Sequence, residues 1–225
     1  MFFSANRQTN IYSIRPAEIA IWTDRDYQVL NALCRQLAIV EIEQMRRLWY
    51  RDSSTSAIRR RMRKLAQFGL VDRFIMNAHP LLSASRPLLS WEPDCVVPDA
   101  EEVACQARER WHQTSVPMEV FVAGRRASNQ FGAPYVGLLS TQQRNAGLLL
   151  TQAFIYELNR NHDAKERWVR KDVYADSILS SWKANAFLVW DETPIHVISA
   201  ETSTKEQIRS IYKRCAAAGI SFDIW

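Results

Sequence analysis

The sequence predicts an α/β protein, α+β overall, in two parts: a helical amino-terminal region and a carboxy-terminal region with a small mixed sheet. Apolar residues recur at helical spacing over residues 24–68. Residues 186–225 instead follow the order strand, strand, helix, strand. A length of 225 residues and an apolar fraction of 47 % are sufficient for buried cores. They exclude a disordered chain, a collagen-like repeat and a disulfide miniprotein.

Polar capping residues set the limits of three amino-terminal helices. Thr23 and Asp26 form a capping box at the start of the first helix. A second, short helix is predicted over residues 41–50. A third is predicted over residues 53–68, where a run of Ser and Thr caps its start and Gly69 ends it.

Two strands are predicted after the third helix. Residues 70–75 have strand character, and after a turn at residues 77–80 we expect a strand over residues 86–91 to return beside them. Three helices followed by a two-stranded ribbon indicate a winged helix-turn-helix.

The rest of the chain indicates further helices and the carboxy-terminal sheet. The predicted elements are a helix over 99–113, a strand over 118–123, a helix over 142–160, strands over 186–190 and 195–200 joined by a turn over 192–194, a helix over 204–218 with a Ser203 and Glu206 capping box, and a strand over 220–225. Residues 124–126 are predicted as a solvated turn, with a second basic contact to DNA as the alternative. The predicted divisions are an arm over 1–20, a winged helix over 21–92, a linker and connecting helix over 93–117, and an α/β domain over 118–225.

Positive charge is concentrated in the amino-terminal part. The formal net charge is +5, but residues 1–90 hold 14 Lys and Arg against 7 Asp and Glu, and residues 91–225 hold 15 against 17. Residues 42–90 alone hold 10 basic and 3 acidic residues. A concentrated basic segment is typical of proteins that bind a polyanion, because each phosphate contact releases bound counterions. The alternative is a solvated basic helix.

The third helix divides into an apolar face and a basic face. At about 100° per residue, Ile58, Met62 and Leu65 share one face and polar side chains lie opposite. Hydroxyl, guanidinium, ammonium and amide groups bond phosphates and base edges in the major groove. With the start of the ribbon included, the predicted DNA contacts are Ser54, Thr55, Ser56, Arg59, Arg60, Arg63, Lys64, Gln67 and Arg73.

Several other chemistries are disfavoured. The cysteines and histidines are dispersed without zinc-ligand spacing, and free, mostly buried thiols are expected at Cys34, Cys95, Cys105 and Cys215. The sequence contains no Gly-rich phosphate loop and no GxSxG elbow. No stretch approaches the ~18 apolar residues of a membrane span, and the start lacks the apolar core of a signal peptide. We therefore expect a cytoplasmic protein without membrane contact.

Two segments resemble the replication-relaxation-type family of mobile elements. The first runs from Thr23-Asp24-Arg25-Asp26 through the basic stretch 59–65 to Gly69-Leu70-Val71-Asp72-Arg73, and it resembles that family's winged helix. The second, residues 184–190 and 196–201, resembles the family's second half. The resemblance implies a restriction-endonuclease-like carboxy-terminal core, which in some relatives belongs to plasmid mobilisation relaxases.

The resemblance also implies where nuclease chemistry would lie. Such a metal-dependent nuclease needs an Asp near the start of one strand, and an acid followed two positions later by Lys at the end of the next. Asn185 stands at the first position, Glu201 fits the acid, and Ser203 replaces the Lys. An active domain would bind Mg²⁺ through Glu201 with Asp172 or Asp176. The replacements favour a degenerate domain that does not cleave, and then no metal or other cofactor is expected.

The sequence as a whole favours a sequence-specific double-stranded DNA-binding protein, a transcription or replication-control factor of a plasmid, phage or integrated element. We expect a homodimer, with the carboxy-terminal domain used for oligomerisation or for a protein partner. Most of the tryptophans at 168, 182, 190 and 225 are expected in the core, although they also offer surface for such contacts. The alternatives are a divalent-metal-dependent DNA nickase or relaxase, and a winged-helix scaffold that binds protein.

Overall fold

Two sheets and the helices around them make up the structure, a computed structural model that describes residues 22–79, 85–112, 114–161, 163–174, 182, 184–191, 193–200 and 204–225. The helices are α1 (Asp24–Arg35), α2 (Ile42–Trp49), α3 (Thr55–Gln67), α4 (Ala100–Glu109), α5 (Arg125–Phe131), α6 (Thr141–Arg160), α7 (Ala164–Arg167) and α8 (Lys205–Ala218), with 3₁₀ turns at Arg110–His112 and Lys171–Tyr174. The strands are β1 (Val40–Glu41), β2 (Val71–Ala78), β3 (Leu89–Trp91), β4 (Val116–Ala123), β5 (Trp168–Arg170), β6 (Ala186–Trp190), β7 (Thr193–Ser199) and β8 (Ser221–Ile224). The α/β class predicted from the sequence is confirmed.

The amino-terminal sheet is antiparallel, with strand order β1-β4-β2. β2 pairs along its whole length with β4, from Val71 opposite Ala123 to Ala78 opposite Val116. The prediction that residues 86–91 return beside β2 is therefore wrong. A strand does form at Leu89–Trp91, but it pairs with β8 in the other sheet.

The carboxy-terminal sheet has the order β3-β8-β7-β6-β5. β7 and β8 are parallel and joined by α8, and the other neighbours are antiparallel. The predicted strand-strand-helix-strand order and the mixed sheet are confirmed. The predicted turn over 192–194 extends too far, because Thr193 and Pro194 belong to β7 and pair with Trp190 and Val189 of β6. Asp191, with φ +47°, follows β6 directly, and residue 192 lies outside the described residues.

The chain leaves the amino-terminal sheet after β2 and returns to it only at β4. Between them it contributes β3 to the carboxy-terminal sheet and forms α4, which packs beside α8. The divisions placed at 92 and at 117 consequently do not coincide with the sheets, because residues 116–123 complete the amino-terminal one. Pairing within a sheet depends on contacts between side chains that are far apart in sequence. The order of successive elements along the chain therefore does not predict it.

The helix ends follow local capping chemistry. The Thr23 and Asp26 capping box is present at α1, and Ser54 caps α3 by accepting a hydrogen bond from the backbone N of Ala57 at 3.2 Å. Gly69 follows α3 with φ +68°, a conformation that favours glycine. These predictions are confirmed.

Other local predictions need correction. Residues 125–131 form α5 rather than a solvated turn. The capping box of α8 is formed by Thr204 and Gln207, one residue beyond the predicted pair, and the predicted cap Ser203 lies outside the described residues, as does the arm over 1–20. The cysteines divide evenly, since Cys34 and Cys215 are buried while Cys95 and Cys105 are exposed.

Helix α6 lies between the two sheets and joins their cores. Apolar side chains of both sheets surround it in one cluster, which includes Ile39, Val120, Val122, Leu149, Phe154, Trp168, Leu188, Ile198 and Trp225. Gly147 permits this approach, because a Cβ there would lie 2.5 Å from Cγ2 of Ile39. Thr151 Oγ1 donates to Ile39 O at 2.6 Å and Gln44 Nε2 donates to Leu148 O at 2.8 Å. Burial and these buried bonds hold the two sheets in one assembly.

Three of the four tryptophans assigned mainly to the core are buried: Trp168, Trp182 and Trp225. Trp190 is 59 % exposed, and the guanidinium of Arg167 lies over its ring. Among the described residues, no helix combines the length and apolar character needed to cross a bilayer.

Candidate functional site

One side of α3 is polar, exposed and cationic. We use the name basic face for the exposed side chains on that side, which are Ser56, Arg60, Arg63, Lys64 and Gln67. The helix is continuous from Thr55 to Gln67, and its other side is buried through Ile58, Met62 and Leu65. The division predicted from helical periodicity is thus observed, and the carboxy-terminal half does not cover the basic face.

The cations of the basic face lack partners within the described part of the chain. Arg60, Arg63 and Lys64 make no ion pair, hydrogen bond or ring contact with any residue that the structure describes. Arg60 and Arg63 lie one turn apart, and Lys64 lies at the edge of the same surface. Three positive charges therefore face solvent close together, with their side chains available to an external anion.

The arginines on either side of the basic face are held by carboxylates. On one side, Arg59 and Arg73 both donate from Nε to Glu119, each at 2.5 Å. Burial alone would raise the pKa of Glu119, but the hydrogen bonds and charges of the two arginines outweigh it and keep that pKa below its usual value. Arg59 and Arg73, predicted as DNA contacts, thus also join α3 to the β2-β4 ribbon.

On the other side, Arg61 forms an ion pair with Asp26, whose side chain is 1 % exposed. Arg61 Nε donates to Asp26 Oδ1 at 2.8 Å. Burial opposes ionisation of Asp26, but the bonds from Arg61 and Thr23 outweigh it and lower the pKa of this carboxyl. Arg61 was not among the predicted DNA contacts, and the structure places it between α3 and α1.

The ribbon extends the exposed surface beside α3. Arg73, Ile75 and Asn77 alternate along β2 and therefore share one face. All three are exposed, and Ile75 shows 69 % of its surface to solvent. Glu119 lies opposite Ile75 in the sheet, so this face is continuous with the Arg59 and Arg73 ion pairs.

The remaining predicted contacts lie at the ends of the helix. The Ser54 side chain caps the amino terminus of α3, and its Oγ lies 3.1 Å from Oγ of Ser56. Thr55 is half-buried. Near the other end of α3, Arg125 and Arg126 are exposed at the start of α5, and the ring of Tyr135 lies under the Arg125 guanidinium.

The residues assigned to nuclease chemistry are only partly brought together. A pocket of about 430 Å³ between α6 and the carboxy-terminal sheet is lined by Asp172 and Asn185, with Lys171 and Gln143 beside them. Asp172 is exposed and forms an ion pair with Arg170. Glu201, Asp176 and Ser203 lie outside the described residues.

Asn185 fills a structural role at that pocket. The side-chain Oδ1 of Asn185 accepts a hydrogen bond from the backbone N of Ala200 at 2.7 Å, and the backbone N–H of Asn185 donates to Ile198 O at 2.9 Å. Lys171 N donates to Asn185 O at 3.0 Å. The amide therefore ties the start of β6 to the end of β7, at the position where a metal-dependent nuclease would need a carboxylate.

A second polar site was missed by the sequence analysis. Glu157 on α6, His196 on β7 and Asp223 on β8 place one ligand-type atom each within 4.8 Å of one another. Burial raises the pKa of Glu157. The three residues are far apart in sequence, so no spacing motif marks them. The one available signal was an acidic residue, Asp223, between the apolar Phe222 and Ile224 of a predicted strand.

Comparison of the chain with protein-family models, with curated proteins and with solved structures gives no significant match.

Proposed function

We propose that the protein binds double-stranded DNA through the basic face of α3, with the β2-β4 ribbon as a flanking contact. The observation that carries the proposal is the unpartnered state of Arg60, Arg63 and Lys64 among the described residues. Neighbouring arginines of the same helix are all paired with carboxylates, whereas these three are left for an external anion.

The shape of the surface suits a DNA groove. An exposed helix with guanidinium and amide groups on one side fits the major groove, where Arg bonds guanine and Gln bonds adenine. Its apolar side is anchored on α1 and α2, so the helix would enter the groove as a rigid element. Phosphate contacts from the cations would release counterions and supply most of the sequence-independent affinity.

The arrangement of the amino-terminal elements supports a winged helix-turn-helix as the binding unit. The chain forms α1, β1, α2, α3 and β2 in that order, and β2 pairs along eight positions with β4, which follows after β3 and α4. In this interpretation α3 is the recognition helix and the β2-β4 ribbon is the wing. The connection at the tip of the wing is unusual, because it runs through β3 and α4.

The biological role proposed here is transcription or replication control for a plasmid, phage or integrated element. That setting rests on the resemblance of two segments to the replication-relaxation-type family. A homodimer is proposed as well, since a twofold dimer is the common arrangement for recognition of two half-sites. Sedimentation of the protein with and without its selected DNA tests this.

The test of DNA binding is fluorescence anisotropy with a duplex selected from a random pool, repeated over a series of salt concentrations. The double variant R60A/R63A should weaken binding by about 1–3 kcal/mol for each arginine that contacts a base. Its affinity should also fall less steeply with salt, by about 1.8 in the log–log slope if both arginines contact phosphate.

The matched control is the double variant R209A/K213A. Arg209 and Lys213 are exposed and one turn apart on α8, so this variant removes the same charge from a helix of the other sheet. It should bind the duplex as the wild type does. Equal loss in both double variants would mean that net charge alone binds DNA, and no loss in R60A/R63A would exclude the basic face.

The scaffold alternative predicts no duplex binding at all. Under that alternative, the affinity for every duplex would stay weak even at low salt, where phosphate contacts contribute most. The same titration therefore distinguishes a DNA-binding surface from a protein-binding one.

A metal-dependent nickase is the second candidate, favoured by one observation: Asp172 and Asn185 line the same pocket. We nevertheless expect supercoiled plasmid to stay intact with Mg²⁺ or Mn²⁺. The amide of Asn185 is a poor ligand for a hard cation, and the Asp172 carboxylate is paired with Arg170. Nicking that disappears in Glu201→Ala would overturn this ranking.

A further inference from the structure

The buried Glu157–His196–Asp223 cluster holds polar atoms whose bonding is incomplete. Glu157 is 5 % exposed and Asp223 is 1 % exposed. Among the described residues, Glu157 Oε1, His196 Nε2 and both carboxylate oxygens of Asp223 have no hydrogen-bond partner. A buried carboxylate without a partner is costly, because it has lost its hydration and gained nothing in return.

The hydrogen bonds of Ser221 indicate which nitrogen of the His196 imidazole carries the proton. Ser221 Oγ donates its single proton to Ile195 O at 3.1 Å, and the same oxygen lies 2.6 Å from His196 Nδ1. The hydroxyl must then accept a hydrogen bond from Nδ1–H. In the neutral ring, Nε2 consequently carries the lone pair, and this atom lies 3.3 Å from Asp223 Oδ2.

Two acceptors thus face each other at hydrogen-bond distance, with a third acceptor, the Glu157 carboxylate, within 4.8 Å. Such an arrangement is repulsive unless something positive lies between the three atoms. Arg160 does not supply it, since its Nη1 is 3.8 Å from Glu157 Oε1 and its side chain is 53 % exposed. The repulsion is removed by a proton on the imidazole, by a proton on Glu157, whose pKa burial raises, or by a cation at the centre of the cluster.

We propose that Glu157, His196 and Asp223 bind one divalent transition-metal ion, with Zn²⁺ as the best-suited ion. One imidazole nitrogen and two carboxylate oxygens form a ligand set that zinc accepts, whereas Mg²⁺ and Ca²⁺ prefer oxygen alone. Zinc–ligand bonds of about 2.0–2.2 Å place tetrahedral ligand atoms about 3.3–3.6 Å apart. His196 Nε2 and Asp223 Oδ2 already lie 3.3 Å apart, and the Glu157 carboxylate, within 4.8 Å, would have to move closer. With Ser221 Oγ donating to Ile195 O, the ring takes the tautomer that leaves Nε2 free for a metal.

The ion would join three elements at one point. Glu157 lies near the end of α6, and His196 and Asp223 lie on the parallel strands β7 and β8. Since α6 also packs against the amino-terminal sheet, bound metal would fix the helix that connects both sheets. The His196 side chain is 16 % exposed, so one edge of the cluster lies near solvent, although Nε2 itself is buried.

The test is equilibrium dialysis of the full chain against Zn²⁺, followed by elemental analysis. It is done in a C95S/C105S background, because exposed thiols would bind zinc by themselves. We expect one Zn²⁺ per chain and a melting temperature that rises with Zn²⁺ concentration. Asp223→Asn and Glu157→Gln should each weaken binding at least about 100-fold, and Ser221→Ala by about 10–100-fold. The control Asp94→Asn changes an exposed carboxylate outside the cluster in the same way and should bind as the parent does.

A second measurement does not depend on the folding of the variants. The ¹⁵N chemical shift of His196 Nε2 in the parent protein should move on addition of Zn²⁺, while Nδ1 stays protonated. No bound zinc and an imidazolium at His196 would overturn the proposal, because a proton would then occupy the centre of the cluster. Zinc that binds without moving the His196 resonance, or equally well in every variant, would be an adventitious ion only and would overturn it too.

Discussion

The basic face of α3 and the Glu157–His196–Asp223 cluster carry ionisable groups under opposite conditions. The basic face lies in water, where the charges of Arg60, Arg63 and Lys64 cost little and are weakly coupled. The cluster lies between α6 and a sheet, where an unpaired carboxylate is costly. An exposed charge remains hydrated and is stable without a partner, whereas a buried group must either have a partner of opposite charge or be neutral.

The same contrast appears between neighbours on one helix. Arg60 is exposed without a described partner, while Arg61 neutralises a carboxylate that is 1 % exposed. The position of each side chain around the helix axis decides this, because a step of about 100° turns Arg61 towards α1 and Arg60 towards solvent. A count of basic residues does not separate the two roles.

The largest expected effect comes from breaking the buried pair. Arg61→Ala should lower the free energy of unfolding by about 2–4 kcal/mol, because Asp26 would keep its charge in the interior without a cation. Arg60→Ala should change it by less than about 0.5 kcal/mol. Urea unfolding of both variants at neutral pH measures the difference, and equal stability of the two would contradict the distinction drawn between them.

The pH dependence of stability sharpens the same contrast. Because the pKa of Asp26 is lowered in the folded state, its contribution is fully present above the unfolded pKa of about 3.9 and is lost as the pH falls through the folded pKa. Wild-type protein should therefore lose stability in acid more steeply than Asp26→Asn. Urea unfolding from pH 7 to pH 2 gives both curves, and parallel curves would show that Asp26 does not titrate differently on folding.

A smaller effect is expected at the ion pairs beside the basic face. Glu119→Gln removes a negative charge next to the proposed DNA surface and loosens Arg59 and Arg73. We expect affinity for duplex DNA to rise by about 2–10-fold at low salt, with a steeper salt dependence. The cost in stability should stay below about 1 kcal/mol, since both arginines are partly exposed.

Anisotropy and urea unfolding on the same Glu119→Gln sample separate the two effects. Weaker DNA binding with unchanged stability would mean that Glu119 orients the arginines for DNA contact. The expectation that Glu119 opposes DNA binding would then be wrong.

Local sequence determined the helices and the two sides of α3. Caps at Thr23 and Ser54, and the stop at Gly69, involve partners within a few residues, so their signals lie side by side in the chain. Helical periodicity likewise separated Ile58, Met62 and Leu65 from the basic face. The mixed sheet at the carboxy terminus was predictable because β6, β7, α8 and β8 follow one another directly.

Tertiary structure alone decided which strand completes the first sheet, which arginines are paired, and where buried charge collects. β2 does not pair with the nearer strand at 89–91 but with residues 116–123, because β4 supplies side chains to both apolar clusters: Val120 and Val122 pack in the cluster around α6, and Phe121 and Ala123 pack in the cluster of α1 and α3. Glu119, Glu157, His196 and Asp223 acquire their surroundings only through contacts between distant segments. Helix capping and helical periodicity depend on residues close together in the sequence, whereas burial and charge pairing depend on how the whole chain packs.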